Sequence, residues 1–260
     1  YFTMDVSKIE EAITERTKAV MPVHYSGEPV DMGDLRQLCQ FHDLHIVEDA
    51  CQSILAEYNG HRAGTLGELA GFSLHPLKNL NVWGDAGIVV TDSADHYERL
   101  RLLRNHGMKS RDEIDLLGYN SRLDTLQAIV GNWLIDQVHD ITCKRINNAM
   151  IYDEAFVDLA TKICKPIRRD CVRSVFHLYM LCVQNRDELY QFLLQHGISA
   201  KIHYPIPLHL QKGLAHLGYK RGDFPVAEGQ ADSLISLPVD QHLSSEQQQF
   251  VIDSVRNFYL

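Results

Sequence analysis

Two short apolar runs in this chain each end in a side chain capable of acid–base or nucleophilic chemistry. The first run ends at the carboxylate of Asp49, and the second, residues 71–75, leads through Pro76 to Lys78. In α/β proteins, ligands bind in the crevice at the carboxyl ends of the strands. A carboxylate after one strand and a lysine just after the next therefore predict a single shared site.

A lysine paired with a carboxylate that is distant in sequence is the combination that a pyridoxal 5′-phosphate enzyme needs. The lysine forms a Schiff base with the cofactor, and the carboxylate keeps the pyridine nitrogen protonated. Lys78 and Asp49 have this arrangement, and Ser73 offers a hydroxyl to the phosphate. Each residue also has a purely structural interpretation. Lys78 could be a surface lysine, Asp49 a loop residue or helix cap, and Ser73 an ordinary strand hydroxyl. Spacing alone leaves both interpretations open.

The composition narrows the class of protein. The chain has 260 residues, 45% hydrophobic and 23% charged, as in a globular protein with one large domain or two ordinary ones. A formal net charge of -9 argues against a nucleic-acid partner, because phosphate binding needs a basic face. No apolar run reaches the roughly 18 residues of a membrane span. Scattered cysteines without a CxxC pair predict reduced thiols of a cytoplasmic protein and no metal site.

The apolar pattern of the first fifty residues predicts a β–α–β unit. Residues 19–23 form a short buried strand, residues 32–42 a helix with one apolar face, and the next strand begins at Ile46. Strands joined by a helix of this length pair in parallel. The predicted fold class is therefore α/β.

The second half of the chain predicts a change of architecture. A long helical pattern runs from Leu123 to about Leu159, and a smaller α+β unit follows. We assign residues 1–145 to part of a large cofactor-binding domain and residues 146–260 to a small C-terminal domain.

Five segments of the chain form an ordered set of motifs. They are VEDACQ at Val47–Gln52, FSLHPLKNL at Phe72–Leu80, GDAGIVVT at Gly84–Thr91, GYNSRLD at Gly118–Asp124 and HYPIPLHLQ at His203–Gln211. Taken together and in this order, they resemble the sugar aminotransferases of the DegT/DnrJ/EryC1/StrS type. The resemblance covers essentially the whole chain, and the set is specific although no single segment is.

The resemblance implies the PLP-dependent transferase fold of the aspartate aminotransferase type I, a large mixed-sheet domain plus a small C-terminal α+β domain. It implies that Lys78 carries the cofactor and that Asp49 pairs with the ring nitrogen. Gln52 would lie near the phenolic oxygen of the ring, and Ser73 would contact the phosphate. Asn120 would reach the phosphate of the neighbouring subunit's cofactor, which makes the active site a property of a homodimer.

The proline-containing loop in the second half has two interpretations. In enzymes of this type, the loop that contains His203, Tyr204 and His209 is near the substrate. The same residues also suit a rigid structural loop, because its prolines fix φ. Some members carry histidine where this chain has Lys78 and are dehydratases, so Lys78 favours transamination.

The family pattern also includes a segment before the position of Tyr1. That segment supplies a glycine–threonine phosphate loop and the group stacked on the cofactor ring, and neither is visible here. We therefore expect that the N-terminal part of the fold is missing because the chain is a fragment of a longer protein. A truncated protein with an incomplete site is the alternative.

The predicted function is PLP-dependent transamination. An amino group moves from glutamate, which leaves as 2-oxoglutarate, to a nucleotide-linked keto-sugar, in the biosynthesis of amino sugars for surface polysaccharides or antibiotics. Three alternatives stay open: a family member that dimerises but lacks a complete PLP site, a PLP-dependent sugar dehydratase, and an α/β module that binds sugar nucleotides without catalysis.

Overall fold

The computed structural model describes residues 2–260, which form two compact units. The first unit comprises Phe2–Cys143 and Arg169–His177, and the second comprises Lys144–Arg168 and Leu178–Leu260. The domain boundary between residues 145 and 146 stays a prediction. In the structure, Arg169–His177 belong to the first unit, which the predicted boundary does not describe.

Seventeen strands and helices, joined by loops and short 3-10 turns, make up the described chain. In chain order, those that begin in the first half are β1 (Ala19–Val20), α1 (Met32–Phe41), β2 (His45–Asp49), β3 (Glu57–Tyr58), β4 (His61–Arg62), β5 (Leu69–Ser73), β6 (Gly87–Val90), α2 (Ala94–Arg104) and α3 (Thr125–Ile135). The rest are α4 (Val138–Ala155), β7 (Ile163–Cys164), β8 (Val172–Arg173), β9 (Tyr179–Val183), α5 (Arg186–Gln195), α6 (Pro225–Ser233), β10 (Leu234–Leu237) and α7 (Ser245–Tyr259).

A mixed sheet in the order β1-β2-β5-β6 forms the centre of the first unit. β1 and β5 both lie parallel to β2, and β6 is antiparallel to β5. The parallel pair β1–β2, connected through α1, confirms the predicted β–α–β unit. Because β2 and β5 run in the same direction, their carboxyl ends at Asp49 and Ser73 meet at one edge of the sheet.

The helix α1 is held against this sheet by its apolar face. Met32, Leu35 and Cys39 recur at helical spacing and are all buried, in one cluster with Ile46 of β2. The helix begins where the side chain of Asp31 accepts a hydrogen bond from the Asp34 amide at 3.3 Å, which satisfies one of the free N–H groups of the first turn. The apolar pattern thus positions β2 by burying its inner face.

The second unit is built on a three-stranded antiparallel sheet in the order β10-β9-β7. β10 is buried along its whole length, as are four of the five residues of β9. Tyr152 of α4 is fully buried and donates a hydrogen bond to the Pro238 carbonyl at 2.9 Å. This unit therefore has a core of its own.

The helical pattern predicted from Leu123 to about Leu159 forms two helices in the structure, α3 and α4. At the break, the Gln137 amide bonds to the Leu134 carbonyl at 2.9 Å instead of to the carbonyl four residues back. The side-chain amide of Gln137 donates to the Trp133 carbonyl at 3.3 Å. A side chain thus satisfies the acceptor that the helical backbone leaves free.

None of the helices formed by residues 2–260 combines the length and the apolar character that a membrane crossing requires.

The final helix, α7, begins with a capping box. The Ser244 hydroxyl accepts from the Gln247 amide at 3.2 Å, and the Gln247 side chain accepts from the Ser244 amide at 3.0 Å. Replacing Ser244 by alanine removes the first bond, so we expect Ser244→Ala to lower the free energy of unfolding by about 1 kcal/mol. Urea denaturation measures this change. Ser245→Ala, one residue along, is the matched control, and equal effects of the two substitutions would contradict the capping role.

Candidate active site

Asp49 lies at the carboxyl end of β2 with its backbone bonded on both sides. Its amide donates to the Pro22 carbonyl at 2.9 Å, and its carbonyl accepts from the His24 amide at 3.0 Å. On the other side, the Ala50 amide donates to the Gly71 carbonyl at 2.9 Å. These bonds fix the backbone of Asp49 at the sheet edge.

β5 places Gly71 and Ser73 on the same face of the sheet as Asp49. Asp49 is paired in register with Gly71, and side chains two residues apart on a strand point to the same side. A Cβ atom added at Gly71 would meet no atom within 4 Å. The face of the sheet beside the carboxylate is therefore open at Gly71.

The loop after β5 presents Lys78 above this edge. The Ser73 hydroxyl accepts a hydrogen bond from the His75 amide at 3.3 Å, and the Lys78 amide donates to the His75 carbonyl at 2.9 Å. Leu74 and Leu80, on either side of the turn, are both buried in one apolar cluster. The two leucines anchor both ends of the loop in the apolar cluster. The Lys78 side chain, which lies between them in sequence, is half-buried.

Burial lowers the pKa of Lys78, whereas Cys51 and the charge of Asp49 raise it, and the net pKa is below its usual range. Asp49 and Lys78, which are 29 positions apart in sequence, thus act on each other across the sheet edge. A lowered pKa makes the neutral, nucleophilic form of the amine more accessible near neutral pH. The structure brings together the carboxylate and the lysine that the sequence predicted.

Gln52 is oriented by a backbone contact from a distant turn. Its side-chain oxygen accepts a hydrogen bond from the Ser26 amide at 2.6 Å. Because that amide can only donate, the contact identifies the oxygen of the Gln52 amide and leaves its NH₂ group as a donor. Gln52 can therefore donate a hydrogen bond to an oxygen of a ligand.

Cys51 is a residue of this site that the sequence analysis did not select. Its amide donates to the Asp49 carboxylate at 3.1 Å, and its thiol donates to the Gly71 carbonyl at 3.7 Å. Burial, with the carboxylate of Asp49, raises the pKa of the Cys51 thiol to about 11. Its position between the two selected residues Asp49 and Gln52 is the signal that could have identified it.

Asn120 also belongs to the first unit, on an exposed loop. The backbone beside it pairs with the end of α2, where Asn105 and Asn120 form an antiparallel bridge. Gly118 is required there, because an added Cβ would lie 2.4 Å from the Gly107 amide nitrogen. The Asn120 side chain is exposed and accepts a hydrogen bond from Arg122 at 3.1 Å. A contact with a neighbouring subunit remains a prediction.

The three candidate residues of the proline-containing loop belong to the second unit and differ in environment. His203 is partly buried and bonds to the Ser236 hydroxyl at 2.9 Å, and burial lowers its pKa. His209 is bonded to the buried Glu228 carboxylate at 2.9 Å. Tyr204, in contrast, is exposed. Among residues 2–260, no three His, Cys, Asp or Glu side chains are grouped in a way that would hold a metal ion.

The raised pKa of Cys51 predicts slow alkylation. The thiolate is the reactive form, so at pH 8 a thiol with a pKa of about 11 should react roughly 100-fold more slowly than an ordinary thiol. Its rate should rise about tenfold for each pH unit between 7 and 9. Iodoacetamide labelling with peptide mapping measures both, with the exposed Cys164 as the internal control. Equal labelling rates for the two cysteines would contradict this environment.

The chain is similar to known aminotransferases along nearly its whole length. The profile of the DegT/DnrJ/EryC1/StrS aminotransferase family matches residues 1–256. A dTDP-3-amino-3,4,6-trideoxy-alpha-D-glucose transaminase of Streptomyces venezuelae is 40% identical over 98% of this chain and 67% of its own length. These matches agree with the order of motifs in the sequence.

Two solved structures share the fold. S. venezuelae DesV, solved in complex with a ketimine intermediate, has a TM-score of 0.95 at 40% identity, over 98% of this chain and 69% of that one. The PLP form of the sugar aminotransferase Spr1654 of Streptococcus pneumoniae has a TM-score of 0.91 at 25% identity, over 99% and 72%. The predicted PLP-dependent transferase fold is confirmed, and so is the predicted enzyme class. The chain belongs to the DegT/DnrJ/EryC1/StrS aminotransferase family.

Proposed function

We propose that this protein transfers an amino group from glutamate to a nucleotide-linked keto-sugar in amino-sugar biosynthesis. The observation that carries the proposal is the sheet edge where Lys78, with its lowered pKa, stands beside Asp49 and an open face. The similarity to a transaminase named for a dTDP-linked amino sugar supports the substrate class. The cofactor is pyridoxal 5′-phosphate.

The residues at the sheet edge fit this cofactor. Because Gly71 has no side chain and its face is open, nothing at this position obstructs the ring. Lys78 Nζ would hold the cofactor at its aldehyde carbon, Asp49 would keep the ring nitrogen protonated, and the NH₂ group of Gln52 would donate to the phenolic oxygen. Ser73 donates its hydroxyl to the phosphate.

The chemical steps assigned to this chain are proton transfers and charge stabilisation. When bound, the cofactor supplies a protonated pyridine ring that accepts electrons from the substrate carbon as that carbon loses a proton. Once the amino donor has displaced it from the cofactor, Lys78 Nζ would remove the proton from the donor's α-carbon and deliver it to the cofactor's former aldehyde carbon, as general base and then acid. Its lowered pKa favours this cycle because a larger fraction of the amine is neutral than in an ordinary lysine. The negative charge of Asp49 stabilises the protonated ring nitrogen.

The proposal also assigns residues to substrate binding and to a second subunit. Tyr204 offers an exposed hydroxyl to the sugar nucleotide, and His203 and His209 lie in the same loop. His209 acts through the shape of that loop, since its ring is already bonded to Glu228. Asn120 reaches the phosphate of the neighbouring cofactor in a homodimer. The six free thiols support a cytoplasmic location.

The reaction with glutamate alone tests this function. The protein loaded with pyridoxal 5′-phosphate should release about one 2-oxoglutarate per chain, and a dTDP-linked 3-keto sugar should make the release continuous. Lys78→Ala and Lys78→Arg should slow the release by roughly 100- to 10,000-fold, because both remove the general base. Lys109→Ala, at an exposed lysine, should leave it unchanged.

Two results of this assay would contradict the proposal in different ways. If the unaltered protein binds the cofactor but releases no 2-oxoglutarate, the proposed transamination from glutamate is wrong. If the Lys78→Ala variant releases it at the rate of the unaltered protein, the lysine is wrongly assigned.

A further inference from the structure

A buried cluster lies behind the sheet edge, on the side away from the proposed cofactor. His24 Nε2 and Glu48 Oε2 are 2.8 Å apart, and both side chains are wholly buried. The same Glu48 oxygen accepts a hydrogen bond from the Gly64 amide at 2.7 Å. Its other oxygen accepts from the Leu66 and Gly67 amides at 2.6 Å each. The carboxylate thus has four hydrogen-bond partners.

The contacts of His24 determine which of its nitrogens carries the hydrogen. The Val30 amide donates to His24 Nδ1 at 3.2 Å, so this nitrogen is an acceptor. The ring hydrogen is therefore on Nε2 and points at the Glu48 carboxylate. Burial raises the pKa of Glu48, but the hydrogen bonds from His24, Gly64 and Gly67 outweigh it, and the net pKa is lowered.

The cluster is connected to Asp49 by a closed ring of bonds. Glu48 precedes Asp49 on β2, so their side chains point to opposite faces of the sheet. The His24 ring bonds to Glu48, and the His24 amide donates to the Asp49 carbonyl at 3.0 Å. The position of the Asp49 backbone therefore depends on the position of the His24 ring.

The same carboxylate also holds the segment that leads into β5. Its three backbone donors all lie within residues 64–67, just before the strand that carries Gly71 and Ser73. This segment is tightly packed, because an added Cβ at Gly64 would lie 2.3 Å from the Phe72 ring and one at Gly67 would lie 2.7 Å from the Ile46 carbonyl oxygen. One side chain thus joins the two strands whose ends form the site.

We infer that Glu48 and His24 are positioning residues for Asp49, which set its carboxylate relative to β5 from the buried face of the sheet without touching the cofactor. This inference rests on the proposed role of Asp49 at the ring nitrogen. The competing explanation is a buried pair that contributes to stability alone.

Titration of the protein with pyridoxal 5′-phosphate, followed by absorbance below the melting temperature, separates the two explanations. His24→Leu removes the donor to Glu48 and should raise the Kd about tenfold, as loss of an outer partner of a metal ligand typically does. His24→Gln, whose amide can still donate toward Glu48, should restore a Kd near that of the unaltered protein. The double variant His24→Leu/Asp49→Asn should bind no more weakly than Asp49→Asn alone, because the two changes act through the same carboxylate.

The contradicting results identify which statement fails. If Asp49→Asn weakens binding but His24→Leu lowers only the melting temperature, the positioning role is wrong and the proposed function stands. If the two changes add fully in the double variant, His24 acts independently of Asp49 and the inference is again wrong. If Asp49→Asn binds the cofactor like the unaltered protein, the assignment of Asp49 fails, and the inference fails with it.

Discussion

A single buried carboxylate holds the sheet edge of the first unit in place. Removing a carboxylate from water costs several kcal/mol, and breaking its contacts typically costs about 3–5 kcal/mol. Glu48 offsets the first cost with hydrogen bonds from the His24 ring and from three amides of residues 64–67. These hydrogen bonds connect the segment after β1, the strand β2 and the approach to β5 through one side chain.

The two faces of β2 serve different purposes. Glu48 faces the interior, where both of its carboxylate oxygens accept hydrogen bonds. Asp49 faces the open side beside Gly71. Adjacent residues of one strand thus place one carboxylate in a structural role and the next on the face where we propose that the cofactor binds, by alternation alone. On this open side, burial lowers the pKa of Lys78. Asp49 and an amine with a lowered pKa therefore lie at the same edge of the sheet.

The sequence predicted the parts of this site that local pattern controls. Asp49 and Lys78 follow apolar runs, and the parallel β–α–β unit follows from the spacing of those runs. The orientation of Gln52 was not predictable, because it depends on the Ser26 amide, 26 residues away. The buried ring of His24 and the raised pKa of Cys51 likewise depend on contacts across the sheet. At the break between α3 and α4, the Gln137 side chain bonds to the Trp133 carbonyl, a contact that periodicity does not detect.

The central claim is that the amine of Lys78 binds the cofactor, and covalent trapping tests it most directly. The protein is treated with pyridoxal 5′-phosphate, reduced with borohydride and digested, and the phosphopyridoxyl label is located by mass spectrometry. We predict about one label per chain, on the peptide that contains Lys78, and none at that site in Lys78→Ala. A label spread over exposed lysines such as Lys109, or an equal yield of label in Lys78→Ala, would contradict the claim.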